Sequence, residues 1–237
     1  MTLLTIAKAV ADEVGVDRPS SVIANPQPHV QKILRALNKS GTSLMKKVAW
    51  QILQKEQTFT SLATEAQTGI LPSDFDRFVP ETFWDRTGYQ LISEAQTPVE
   101  WQMLKANSYQ GNPKYRLRGG IVYIMPTMTA GHTLAFEYVS ENWCASSGGT
   151  GQSAWAADTD VGVLDEELLT LAGTLVYLTT ELLPAGAAEM AFNDYFQTVL
   201  SNDQPDSGIM VAADIFGSGR HFTGTPSTSG GTNINNM

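Results

Sequence analysis

Four carboxylates fall within the thirteen residues DFDRFVPETFWDR, positions 74–86. Asp74, Asp76, Glu81 and Asp85 alternate there with Arg77, Arg86 and the rings of Phe75, Phe78, Phe83 and Trp84. Acids crowded among apolar rings can serve two ends. An acid–base site, such as that of a glycoside hydrolase, needs one carboxyl kept protonated and a second held at a fixed distance from it. A structural joint needs the acids neutralised and the rings buried. The neighbours Asp76-Arg77 and Asp85-Arg86 favour lowered carboxyl pKa values, the opposite of what a proton donor requires. Pro80 also forbids a continuous helix, because it removes a hydrogen bond and restricts Val79. Phe75, Arg77, Phe78, Phe83, Trp84 and Arg86 are therefore the candidate structural-joint or subunit-interface residues. The four rings are expected to be buried, and the two arginines to satisfy carboxylates nearby or across a subunit boundary.

Other reactive residues are scattered. His29, His132 and His221 are each more than eighty residues apart, with no second ligand at helical or loop spacing. Cys144, His132 and Asp158 can be drawn as a site only as three isolated residues. SSGGTGQSA has no G-x-S-x-G elbow, and GGTG lacks the Lys and Ser/Thr of a phosphate-binding loop. The expectation is a non-enzyme, with no catalytic, metal or cofactor-binding residues and no cofactor. Arg116 and Arg118 share one face of a hairpin and are candidate contacts, solvated or subunit-facing rather than groove-reading.

The 237 residues carry a net charge of −9, which disfavours wrapping nucleic acid by phosphate neutralisation. That charge is unevenly distributed. Residues 1–60 are net +4 and residues 131–200 net −10, with no Lys or Arg between Arg118 and Arg220. Either the acidic half is a solvated face, or the basic surface of one copy meets the acidic surface of the next in a ring. Cys144 is the single cysteine, so no intrachain disulfide forms. The N-terminal apolar segment is interrupted by Lys8, Asp12 and Glu13 and makes a poor signal peptide. LLTLAGTLVYLTT is too short to span a bilayer. A soluble protein of a cytoplasm-like compartment, without a membrane partner, is expected.

Periodicity predicts the elements that would carry these residues. Leu3, Leu4, Ala7, Val10, Ala11 and Val14 repeat at helical spacing ahead of Gly15. Val30, Ile33, Leu34 and Leu37 predict a second helix stopping before Gly41. Leu44, Val48, Ile52 and Leu53 predict a third. TFTSLAT reads as a strand, EAQTG as a turn and YQLIS as extended. TPVEWQMLKAN has a Thr97 cap, Pro98 at the first helical position and Glu100 closing a capping box. KYRLRGGIVYIMP predicts a hairpin about Gly119-Gly120, and HTLAFEYVSENW the third strand of a meander. Alternation would point Tyr115, Leu117, Ile121 and Tyr123 away from the two arginines. LDEELLTLAGTLVYLTTELL and AAEMAFNDYFQTVLS predict two stacked helices, the first with Asp165, Glu166 and Glu167 in its first turn. The expected fold is α+β: mainly a helical bundle with a small antiparallel β meander or hairpin and an extended C-terminal arm. Residues 1–200 would form one domain, with N-terminal helices in 1–57, an irregular and β middle in 58–162 and C-terminal helices in 163–201. Residues 202–237 would be the arm.

In this order the segments resemble the head-to-tail adaptor (connector) proteins of tailed bacteriophages. LLTIAKAVADEVGVDRPSSV, DFDRFVPETFWDRT, TPVEWQMLKA, YRLRGGIVYIMP, GHTLAFEYVSENWC and AWAADTDVGVLDEELLTLA carry the likeness over roughly residues 1–200. FDRFVPETFWDRT and FEYVSENWC are its most specific parts. The resemblance implies a virion structural protein, assembled in the host cytoplasm and placed at the neck below the portal. It would form a homo-oligomeric ring, usually of twelve copies, that extends the DNA channel and docks the next tail or nozzle component. Genomic double-stranded DNA would pass through without sequence-specific binding. A tail-side ring or tail-completion protein is the alternative within that class, and an acid–base glycoside hydrolase is the alternative outside it. Asp165, Glu166 and Glu167 become candidate channel-lining or lateral acids. Ile209, Met210, Val211, Ile215, Phe216 and Phe222 become the candidate portal-contacting arm. One departure from the family is that no Lys or Arg follows the DEELL acids within their helix.

Overall fold

The computed structural model describes residues 1–95 and 97–203. Among them are five α-helices and twelve strands in three sheets, about 38% helix and 22% strand. The expectation of a mainly helical bundle with a small β element is therefore overturned. The chain builds a helical layer and a β unit, each around its own core.

Four helices make the layer. These are α1 (Leu3–Val14), α2 (Pro28–Lys47), α4 (Glu166–Thr180) and α5 (Gly186–Asp203), while α3 (Pro98–Ala106) sits on the β unit. Helix α1 starts on a Thr2 hydroxyl that accepts from Thr5 N, and it ends at Gly15 in the left-handed region, as its sequence predicts. Leu3, Ile6, Ala7, Val10, Ile33, Leu37, Leu44, Leu169 and Phe196 are completely or almost completely buried together. The second predicted helix runs on past its expected stop, to Lys47. Gly41 does not stop α2, because that position must stay small for a neighbour: a Cβ there would lie 2.4 Å from the Trp143 ring. Gly173 of α4 is the counterpart, where a Cβ would fall 2.6 Å from Leu37 Cδ2. The predicted third helix is also absent. Its residues form the end of α2, a 3-10 turn at Gln51–Leu53 and the start of strand β1 (Gln54–Thr60).

The β unit holds two larger sheets. One contains β1, β3 (Phe75–Phe78), β4 (Trp84–Asp85), β5 (Gln90–Leu91) and β9 (Thr133–Ser140). The other runs β2 (Ala66–Gln67), β8 (Ile121–Met125), β7 (Lys114–Arg118), β6 (Ser93–Glu94). Ala66 and Gln67, expected in a turn, thus pair with Tyr123 and Val122. Between the sheets Phe83, Ile92, Tyr115, Val122, Ile124, Leu134, Phe136 and Tyr138 are buried as a second core. Strand β9 does not extend the β7–β8 hairpin into a meander. It pairs with β1 along its whole length on one edge and with β3 and β4 on the other. A third, small sheet joins β10 (Cys144–Ala145), β11 (Gly151–Gln152) and β12 (Val161–Gly162).

The hairpin about Gly119 and Gly120 forms as predicted, with both glycines at positive φ. Its register corrects the expected facing. Arg118 opposes Ile121 and Arg116 opposes Tyr123, so these four share one face, while Tyr115 and Leu117 oppose Ile124 and Val122 on the other. A two-residue turn reverses the parity of the returning strand, which puts Ile121 and Tyr123 beside the arginines.

Candidate functional site

Segment 74–86 is an interrupted strand laid along β9. Phe75–Phe78 pairs with Tyr138–Ser140, and Trp84–Asp85 pairs with Leu134–Ala135. Between them Val79 to Phe83 loops outward, and the Thr82 hydroxyl closes the gap. It accepts from Glu137 N at 3.1 Å and donates to Val79 O at 2.7 Å, while Val79 N donates to Glu137 O at 2.9 Å. One side-chain hydroxyl thereby replaces a missing backbone acceptor in the ladder. Glu81, at φ 62, makes the turn.

A bulge between Phe75 and Arg77 lets Phe75 and Phe78, three residues apart, face the same core, where both are half-buried rather than fully buried as expected. Phe78 contacts Phe75, Phe136 and Tyr115 at centroid distances of 4.8, 4.8 and 4.9 Å, and it stacks on Phe83. Phe83 is 2% exposed. Trp84, expected among the buried rings, is instead 44% exposed, because its strand position points it to the outer face of the sheet.

Asp74 and Asp85 of this segment are each held ionised. Asp74 accepts from Lys55 Nζ (2.6 Å), Ser140 Oγ (2.7 Å) and Tyr138 Oη (3.0 Å). Burial alone would raise its pKa, and these donors together pull it below the ordinary value. Burial and the bond to Asp74 push the Tyr138 phenol up to about 12. Asp85 is 2% exposed and accepts from Thr87 N and Gly88 N at 2.9 Å, with His132 Nδ1 at 2.7 Å. Burial again acts upward on its pKa, and His132 with the two amides outweighs it. Neither acid is poised to give a proton near neutral pH.

The arginines differ in their work. Arg77 pairs with Asp76 at 2.5 Å and donates to Met45 O and Val48 O, capping the C-terminus of α2. Arg86 does not pair with its neighbour Asp85. It forms a two-pronged pair with Glu56 of β1, at 2.6 and 3.2 Å, because Asp85 points inward to His132.

On the outer face of the same sheet these residues line an open cleft of about 550 Å³. Trp84 and Tyr89, the latter 88% exposed, supply rings. Glu56, Glu81 and Glu137 supply carboxylates, with Arg86 the one cation of the lining. Glu81 and Glu137 make no ion pair among the described residues. A second hollow of about 390 Å³, lined by Gln51, Gln54, Lys55, Glu56 and Glu137, adjoins it through the two shared glutamates. Glu56, Tyr89 and Glu137 were not among the sequence candidates. The pairing of β1 with β9, which sets Glu56 opposite Glu137, has no local signal across eighty residues of chain.

The remaining candidates lie elsewhere. Arg118 sits 4.5 Å over the Tyr123 ring, and Arg116 is half-buried beside it. Asp165 caps α4 by accepting from Leu168 N at 2.8 Å. Glu166 lies against the N-terminal amine, and Glu167 is exposed. Ile209, Met210, Val211, Ile215, Phe216 and Phe222 lie outside the described residues. Cys144, His132 and Asp158 do not come together. The buried Cys144 thiol donates to Gln152 O and burial pushes its pKa up to about 12, while Asp158 accepts from Val22 N and Ile23 N. Among the described residues no cluster of three His, Cys, Asp or Glu could hold a metal ion, and no helix is long and apolar enough to cross a membrane.

Helix α2 carries the opposite charge to the cleft. Lys32, Arg35, Lys39 and Lys46 follow one another along a helical face, with Lys47 beside them, all exposed. Lys32 pairs with Glu181 at 2.5 Å, and the other four make no ion pair among the described residues. No protein-family model matches the chain, and no curated protein matches it.

Proposed function

We propose that the chain is a structural subunit of a head-to-tail adaptor ring in a tailed bacteriophage. It would sit below the portal, extend the DNA channel and dock the next tail component. The observation that carries this reading is charge left unmet among the described residues. There helix α2 presents Arg35, Lys39, Lys46 and Lys47 without an ion-pair partner, and Glu81 and Glu137 on the β unit make no ion pair. Two different complementary surfaces on one subunit are what a head-to-tail ring of identical copies requires. The order of segments that resembles phage adaptors supports the same reading.

The carboxylates of 74–86 argue against a glycoside hydrolase. Asp74 and Asp85 are tied to three donors each and held below the ordinary carboxyl range. A hydrolase of this class needs an acid raised above it. The test is the mass of the purified chain by light scattering, alone and with portal protein. A closed ring or a ring-on-portal complex that dissolves at high salt supports the proposal. A monomer that ignores portal protein, or that releases sugars from cell-surface polysaccharide, refutes it.

A further inference from the structure

We infer that the groove between α2 and α4 receives the Trp84 and Tyr89 edge of a second copy of this chain. The inference rests on the ring reading and deepens it, by assigning which surface of one copy meets which surface of the next.

The receiving surface is a groove of about 260 Å³. Ala36 of α2 with Val176 and Tyr177 of α4 are buried and make its floor. Lys32, Arg35 and Lys39, about one helical turn apart, stand exposed along its α2 side, and Glu181 is the one acid of its lining. From Glu181 the chain passes directly to Leu182, an apolar side chain that is 92% exposed. A cavity of about 150 Å³ already admits a benzene ring, so this groove has room for an aromatic side chain. An apolar floor inside a cationic rim suits a ring that arrives beside carboxylates.

The inserted surface is the rim of the cleft on the β unit. Trp84 and Tyr89 are the only exposed aromatic residues among the described ones, and Glu56, Glu81 and Glu137 line the cleft with them. Tyr89 lies at φ 52 and Glu81 at φ 62, in the left-handed region that strains a residue with a large side chain. Leu182, at φ 56 beside the groove, is a third such residue. Five non-glycine residues have positive φ among the described ones, so most of this strain sits on the two surfaces. Backbone strain of that kind is retained where binding uses it.

The surfaces match in sign and in chemistry. The groove sets three cations against Glu181, and the outer face of the cleft sets three glutamates against Arg86, since Asp85 turns inward to His132. Arg35, Lys39, Glu81 and Glu137 make no ion pair among the described residues. On docking, the Arg35 guanidinium can pair with a carboxylate and stack on a ring, while Lys39 lies over a ring face. Trp, Tyr and Arg are the residues that carry most of the energy of protein interfaces. Groove and cleft share no lining residue, and each stands on packed helices or strands. One copy therefore cannot bring its own rings to its own groove. Each copy gives one surface and receives the other, head to tail.

The experiment is a charge exchange, read as assembled mass by light scattering with portal protein present. One variant is Arg35→Glu with Lys39→Glu, and the other is Glu81→Lys with Glu137→Lys. All four positions are exposed, so both variants should fold, which circular dichroism checks. The wild type should assemble, and each variant alone should assemble at least about 10-fold more weakly, because like charges meet. The equimolar mixture should regain wild-type assembly, since each reversed surface then finds its complement. Trp84→Ala should weaken assembly by about 10-fold or more with no change of charge, and it decides alone if a charge variant does not fold. A mixture that stays unassembled would overturn the pairing. So would wild-type assembly by either charge variant or by Trp84→Ala. In those cases an assembling wild type leaves the ring itself standing, whereas a wild type that never assembles overturns the ring and this contact together.

Discussion

Arg77 reaches 2.9 Å to the carbonyl oxygen of Val48, so a side chain from β3 closes the open end of α2. The same nitrogen donates to Met45 O, and the other guanidinium nitrogen pairs with Asp76. A cation at a helix C-terminus satisfies carbonyls that have no partner within the helix and meets the negative end of its dipole. This contact ties the helical layer to the β unit. Arg77→Ala is expected to lower stability by about 2 kcal/mol, the loss typical of hydrogen bonds to a charged donor. Urea denaturation checks it, and an unchanged midpoint would remove Arg77 from the joint.

Phe83 and Trp84 are neighbours with opposite fates, which makes them a paired test. Phe83→Ala empties a position that is 2% exposed among Phe59, Phe78, Tyr115 and Phe136, and is expected to cost about 3–4 kcal/mol. Trp84→Ala, on the open face, is expected to change stability by under about 1 kcal/mol. Thermal unfolding of the two variants distinguishes these outcomes. A large loss for Trp84→Ala would place that ring in a core.

Gly41→Ala opposes two effects of known size. Alanine in a helix interior gains about 1 kcal/mol over glycine. The added Cβ, however, would lie 2.4 Å from the Trp143 ring, and overpacking a core costs about 1–3 kcal/mol. The steric cost should win because Trp143 is fully buried, with its indole nitrogen bound to Ser153 O, and cannot swing away. A net drop in melting temperature is the expected result, and a rise would show that the ring gives way.

Acid should unfold the protein partly through Asp74 and Asp85. Both carboxyls are held below their ordinary value of 3.8 in the folded state. Their contribution is therefore complete above that value and is lost as pH falls through the lower, folded-state pKa. Asp85→Asn should reduce stability at pH 7 by about 2 kcal/mol and flatten the acid limb of the stability profile below pH about 4. Denaturation midpoints across that range check it. A variant with the wild-type acid limb would contradict the assignment.

Signals carried by adjacent residues were legible in the sequence. The Thr97 cap with Pro98, the Gly15 stop and the Gly119-Gly120 hairpin need only a few neighbours to specify them, and each forms as predicted. Long-range contacts were not legible. Gly41 looks like a helix stop until Trp143, a hundred residues on, is placed against it. Arg86 looks like the partner of Asp85 until β1 delivers Glu56 and the turn before β9 delivers His132. The cleft has the same origin. Its glutamates come from β1, the Val79–Phe83 loop and β9, and only the β1–β9 pairing sets Glu56 beside Glu137. In 74–86 the break at Pro80 and the Asp76-Arg77 pair were readable from neighbours, whereas the partners of Asp74, Asp85 and Arg86 were not.

The central proposal is a ring built on complementary charge, and electron cryomicroscopy of the full chain mixed with portal protein tests it most directly. The account predicts a closed ring stacked on the portal, with the Lys39 and Lys46 face of α2 against an acidic surface of the neighbouring copy, and loss of that ring in a Lys39→Glu, Lys46→Glu variant that still folds. Isolated subunits beside bare portals, or a ring in which α2 faces solvent, would contradict it.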